Sequence, residues 1–138
     1  MTKWHSRYIE LAELVSSWSK DPRKQVGAVV TRKYRVLGIG FNGFPSTIAD
    51  TEQRLHNREL KNKLMIHAEI NAIMAAGGSG DTIYVYPCLP CITCLMVILQ
   101  AGITKVVSSK KFKDRPTQWD KELVCQIAAE HEVEILYV

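Results

Sequence analysis

His67-Ala68-Glu69 and, further along, Pro90-Cys91-Ile92-Thr93-Cys94 constrain this chain more than any other feature. A neutral imidazole and two thiolates suit Zn²⁺, but ligands so far apart in sequence serve one ion only if the chain between them folds back on itself. The local patterns say how. Ile66–Ala76 reads as an apolar, alanine-rich helix stopped by Gly77-Gly78, and Pro90 stands where proline is tolerated at the start of a second helix, Cys91–Ala101, stopped by Gly102. His67, Cys91 and Cys94 therefore belong to two helix N-termini that converge on one ion, and both a helix N-terminus and a metal favour the thiolate. Three protein ligands leave the fourth tetrahedral position open for water, whose pKa zinc lowers from about 16 to about 7.

Glu69, two residues beyond His67, is placed to carry protons between that water, a ring nitrogen and a leaving group without touching the metal. The competing reading is an acid favoured by the positive end of a helix. Cys91-x-x-Cys94 also fits a dithiol redox motif, which leaves His67-Ala68-Glu69 without a purpose. A structural zinc site needs a fourth ligand, and Cys88 is the nearby candidate; we read it instead as a buried or pocket-wall thiol, because a closed shell removes the reactive water. Cys125, in the pattern Leu123, Val124, Ile127, Ala128, reads as core.

At 138 residues, 46% hydrophobic and 23% charged, the chain reads as one globular domain, 1–138, without linkers or repeats. Its four cysteines, two of them assigned to metal, fit a reducing compartment rather than a disulfide framework. There is no charged-then-apolar leader and no apolar run near the ~20 residues that span a bilayer, so the expectation is a soluble, cytoplasmic protein with no membrane partner. The formal charge of +4 is spread among acids rather than gathered into an aromatic-spaced patch. That pattern favours a small anionic ligand over nucleic acid.

Tyr8, Leu11, Ala12, Leu14, Val15 and Trp18 recur at helical spacing, predicting a helix near 3–20 with Trp4 and Trp18 in the core. Gln25–Thr31 and Val36–Phe41 read as a hairpin across the basic turn 32–35, followed by a loop over 43–50 and a charged, helix-prone stretch over 51–63. Strands at Thr82–Tyr86, Lys105–Ser108 and Val133–Val138 and a helix at Trp119–Glu130 complete an α-β-β-α-β-α-β-α-β order. This order implies a mixed sheet with helices on both faces and parallel pairing at its end.

Ser19-Lys20-Asp21-Pro22, Gln25-Val26-Gly27-Ala28, Gly38-Ile39-Gly40-Phe41-Asn42-Gly43-Phe44-Pro45, His67-Ala68-Glu69-Ile70-Asn71-Ala72-Ile73 and Pro90-Cys91-Ile92-Thr93-Cys94 together resemble the deoxycytidylate (dCMP) deaminases. The H-x-E…P-C-x-x-C part alone is the known signature of the wider group of zinc nucleobase deaminases. The resemblance implies an α/β fold, a three-layer α/β/α cytidine-deaminase-like sandwich with a mixed five-stranded sheet. It implies hydrolysis of dCMP to dUMP and ammonia, with one Zn²⁺ per subunit held by His67, Cys91 and Cys94 and with Glu69 as the proton shuttle. Asn42 matches the asparagine that meets sugar or base, although Asn-Gly also favours a turn. Ala68, in the matched His67-Ala68-Glu69 box, is by the same resemblance a further candidate substrate contact.

For the phosphate, Arg23 and Lys113, the latter within the basic run Lys110, Lys111, Lys113 and Arg115, are the candidates, and Phe112 is placed to pack against pyrimidine or sugar. The family resemblance further implies a homo-hexamer activated by dCTP and inhibited by dTTP with Mg²⁺, and Asp50, Arg54, Glu59 and Lys63 as effector contacts, against the alternative of ordinary surface charges. Two other readings stay open: a tRNA adenosine or free cytosine/cytidine deaminase on the same fold, and a non-catalytic zinc-binding module.

Overall fold

The computed structural model describes residues 2–114 and 120–138. Its elements run α1 (Thr2–Ser16), β1 (Gly27–Arg32), β2 (Arg35–Phe41), α2 (Glu52–His56), α3 (Arg58–Leu64), α4 (Ala68–Ala75), β3 (Thr82–Tyr86), α5 (Ile92–Gln100), β4 (Lys105–Ser108), a 3₁₀ turn (Lys110–Phe112), α6 (Lys121–Glu130) and β5 (Glu134–Tyr137). Almost every residue of β1 and β3 is buried, so both strands belong in the middle of a sheet covered on two sides. They pair antiparallel, with Val29 opposite Tyr84. β2 pairs antiparallel outside β1, and β4 and β5 follow β3 in parallel, giving the order β2-β1-β3-β4-β5. The sheet is therefore mixed and five-stranded, with α5 and α6 as its two crossover helices, as the sequence implies.

Alternation along the central strands separates two cores. Val29, Tyr84 and Val107 pack with Ile9 and Ala12 of α1. Ala28, Val30, Ile83, Val85 and Val106 face the other way, toward Ala72 and Ile73 of α4, Leu95 and Ile98 of α5, and Val124 and Ala128 of α6. The result is three layers. α4 sits unusually close to the sheet because Gly40 faces it: a Cβ there would lie 2.4 Å from the Ala72 nitrogen and 2.6 Å from the Ala68 oxygen. A missing methyl thus sets the depth of the helix that follows His67.

One local reading changes. The helix expected to reach residue 20 ends at Ser16, so Trp18 falls in a turn and is 48% exposed, edge-on to Phe41, rather than in the core. The helix-prone stretch 51–63 forms two short helices, α2 and α3, because the Asn57 side chain accepts from the Leu60 amide and starts a new helix. The predicted start at Trp119 lies outside the described residues. The hairpin turn places Lys33 (φ 49°) and Tyr34 (φ 63°) in the left-handed region, the two-residue geometry that matches strand twist.

Candidate active site

His67 and Cys91 each occupy the N-cap of a helix, α4 and α5 respectively, and neither side chain caps its own helix. They turn toward each other instead. His67 Nδ1 lies 3.2 Å from Cys94 Sγ and 3.5 Å from Cys91 Sγ, and the three donor atoms all fall within 4.8 Å of one another. Tetrahedral zinc with ordinary bond lengths sets nitrogen and sulfur about 3.5 Å apart and two sulfurs about 3.8 Å apart, so this donor set fits the ion in both chemistry and span. Cys88, half-buried, is no member of this group, so three ligands stand among the described residues.

The electrostatics follow from crowding. A hydrogen bond from Cys94 lowers the Cys91 thiol to about 3, against a smaller opposing effect of burial, while the same contact and burial push the Cys94 thiol up. One proton is thus left between two sulfurs, and a cation in that place removes the need for it. The hydrogen bond to Cys91 raises the His67 imidazole despite partial burial. Glu69, 4% exposed, lies in the first turn of α4 just past His67, and its burial raises the carboxyl above the ordinary 4.5. A carboxyl raised in this way holds a proton more readily than an exposed one, the direction that proton transfer asks of it.

The other predicted positions divide. Asn42 is buried, and its amide is engaged on backbone: Nδ2 donates to the Lys24 carbonyl at 2.7 Å and Oδ1 accepts from the Val26 amide at 2.9 Å. One N–H and one lone pair remain for another group. Ala68 is fully buried against the sheet. Arg23 is exposed and gives its backbone N–H to Asp21 at 2.8 Å. Phe112 stands edge-on to Tyr86 with ring centres 5.6 Å apart, and the Lys113 ammonium lies 5.1 Å from the Tyr137 ring centre. Arg115 lies outside the described residues.

The four effector candidates are engaged locally. Asp50 pairs with Lys20 at 3.0 Å, Arg54 donates to the Ala49 carbonyl at 3.0 Å, and Glu59 pairs with Lys63 at 3.5 Å. Lys24 was missed. Its positive charge is the smallest of the influences on His67 and Glu69 and opposes the net rise of both. Its place between Arg23 and Gln25 gave no periodic or motif signal.

The family model for the cytidine and deoxycytidylate deaminase zinc-binding region matches residues 2–110. The chain belongs to this family. It is 40% identical over 125 residues to an uncharacterized deaminase of Aliivibrio fischeri, an alignment covering 89% of this chain and 84% of that one. It is 38% identical over 123 residues to the deoxycytidylate deaminase of Pongo abelii, covering 81% and 68% of the two chains. Against the deoxycytidylate deaminase of Saccharomyces cerevisiae, 36% identical over 121 residues, it covers 38% of the longer yeast protein. A crystal structure of the dCMP deaminase of cyanophage S-TIM5 in complex with dCMP and dUMP matches with a TM-score of 0.76 at 27% identity, over 100% of this chain and 98% of the phage chain. The cytidine and deoxycytidylate deaminase family thus accounts for the fold and for the grouping of one histidine with two cysteines.

Proposed function

We propose that the protein hydrolyses dCMP to dUMP and ammonia within a single domain, with one zinc ion held by His67, Cys91 and Cys94. The observation that carries the reaction class is the three-donor group lying beside a buried carboxyl, Glu69, whose proton affinity burial has raised. The choice of substrate is supported by the phage dCMP deaminase that shares this fold over the whole chain and was solved with dCMP and dUMP. When bound, zinc supplies Lewis acidity and lowers the pKa of water at its open position to about 7.

The chain's own residues do the rest. His67, Cys91 and Cys94 hold the ion at the junction of two helix N-termini. Glu69 takes a proton from the attacking water and gives it to the pyrimidine N3, then takes the second water proton from the new C4 hydroxyl and passes it to the amino group as the C4–N bond breaks and ammonia leaves. The new C4–O bond becomes the carbonyl of dUMP. The free N–H and lone pair of Asn42 serve a sugar hydroxyl, and Ala68 forms the wall behind Glu69. Lys24, with Arg23 and Lys113, supplies positive charge for the 5′-phosphate, and Phe112 closes the loop beside the base.

The same reading extends to a homo-hexamer in the cytoplasm, regulated by dCTP as activator and dTTP as inhibitor with Mg²⁺ and with Asp50, Arg54, Glu59 and Lys63 as effector contacts. An oligomer is supported by apolar side chains left exposed on α1, in the turn after it and on β2: Leu14, Trp18, Ile39 and Phe41. No helix among the described residues is long and apolar enough to cross a membrane.

The test is steady-state ammonia release from dCMP, deoxycytidine and adenosine-containing tRNA, each with and without dCTP or dTTP plus Mg²⁺. Turnover of dCMP that drops when the 5′-phosphate is removed supports the proposal. Preference for tRNA, or zinc binding without ammonia from any substrate, overturns it.

A further inference from the structure

Residues 19–26 join α1 to β1 without regular secondary structure, yet buried polar side chains pin them at nearly every step. Lys61 on α3 donates to Asp21 Oδ1 at 2.9 Å, and both side chains are only 6% exposed. The other ion pairs of the described residues are far more exposed. The same Asp21 oxygen accepts the Arg23 and Lys24 amides at 2.8 and 3.1 Å, and the Asp21 amide donates to Ser19 Oγ at 3.2 Å. Ser19 Oγ in turn donates to the Asn42 carbonyl at 2.8 Å, while the Asn42 amide clasps the Lys24 carbonyl and the Val26 N–H. Next along the chain, Gly43 exchanges two backbone hydrogen bonds with Ile66, at 3.1 and 2.8 Å, immediately before His67. A continuous polar path therefore runs from α3 to the rim of the donor group.

A buried ion pair is weak evidence of net stabilisation, because desolvating two charges offsets most of their attraction, whereas removing one partner leaves the other uncompensated. What such a pair does well is fix a geometry. Here the geometry belongs to a segment whose Val26 N–H and Lys24 carbonyl hold the Asn42 amide in one orientation. We infer that Lys61 is a positioning residue: through Asp21 it fixes the 19–26 segment and, with it, the Asn42 amide beside the Gly43–Ile66 pairing that leads into His67.

The kinetic side of this inference rests on the dCMP deamination proposed above, and the structural side does not. Two readouts keep them apart, applied to Lys61→Met, Lys61→Arg and the charge-free Asp21→Asn/Lys61→Met protein. Amide hydrogen exchange compares Val26, whose N–H Asn42 holds, with Val29 in the core of β1. In Lys61→Met the Val26 amide is expected to exchange about 10-fold faster relative to Val29. Steady-state kinetics with dCMP are expected to give a KM raised about 10-fold and a kcat reduced much less, with zinc content unchanged. Lys61→Arg should restore most of both.

The charge-free pair should recover the thermal midpoint while KM stays high, because no ammonium then tethers the segment to α3. Val26 exchange that merely tracks Val29, or a KM that recovers in step with the midpoint, would overturn the inference and leave a role in stability alone. If the wild-type protein releases no ammonia from dCMP, the substrate assignment fails and the exchange comparison decides the positioning role.

Discussion

At the scale of single residues, Glu69 illustrates a conflict between burial and chemistry. Burial raises its carboxyl above the ordinary 4.5, so the ionised form is the costly one in the folded state. The linkage sign follows: its contribution to stability is fullest below 4.5 and is lost as pH rises through the raised value. Glu69→Gln keeps the shape without the charge. In metal-depleted protein it should therefore be at least as stable as wild type at neutral pH, with the difference vanishing in acid, as read by thermal midpoints across pH. In zinc-loaded protein the same variant should keep its metal and lose about 10²-fold or more in kcat on dCMP; turnover near wild type would remove Glu69 from the proton path. Asn42 shows where residue-level reading of the sequence was incomplete. An Asn-Gly pair after a strand signals a turn or a ligand contact, yet the buried amide also braces backbone from a segment remote in sequence, which only the fold brings near. Asn42→Ala should cost about 1–3 kcal/mol by leaving the Lys24 carbonyl and the Val26 amide without that partner, measurable by urea denaturation.

Among elements, α4 depends on what the strand beneath it lacks. Gly38 and Gly40 were legible only as members of a motif; their purpose is to let the α4 backbone rest on β2. In Gly40→Ala the new methyl meets backbone atoms at 2.4 and 2.6 Å, so the helix must rise. Overpacking of this kind costs about 1–3 kcal/mol, and because α4 follows His67 and carries Glu69, zinc occupancy should fall along with the thermal midpoint. A variant that loses stability but binds zinc normally would show that α4 can shift without moving its ligand. The contact between α3 and the 19–26 segment has its own pH signature. Burial alone would raise the Asp21 carboxyl, but the hydrogen bond from Lys61 and those from the Arg23 and Lys24 amides outweigh it and hold the group below its ordinary 3.8. Its stabilisation is therefore present above 3.8 and lost as pH falls through the depressed value. Asp21→Asn/Lys61→Met should accordingly lose less stability than wild type as pH falls through 3.8 and below; equal losses would mean that other carboxylates dominate the acid response.

Over the whole molecule, the order of elements and the convergence of 67, 91 and 94 were legible because each rests on a local signal repeated along the chain: apolar runs of strand length, glycine stops, and a proline at a helix start; the antiparallel pairing of β1 with β3, remote in sequence, carries no such signal. The polar path from Lys61 to Asn42 was not legible either, since a lysine in a charged helix and an aspartate before proline look like surface residues until the fold buries both. Nor was the exposure of Trp18, which depends on where α1 ends. The donor group also bears on stability as a whole, because its ligands come from two helices, α4 and α5, that are separated in sequence by β3 and packed on one face of the sheet. An ion that binds only the folded arrangement stabilises it by mass action, about 4 kcal/mol when free zinc exceeds its dissociation constant 1,000-fold. For a domain of this size each kcal/mol moves the midpoint by about 3 °C, so a strong chelator should lower the wild-type midpoint by roughly 10 °C. Cys91→Ala, which removes one ligand, should start near the chelated value and respond little to chelator, and metal analysis should find it depleted of zinc. If chelator shifts Cys91→Ala as far as wild type, the stabilising metal is bound somewhere other than between these two helix N-termini.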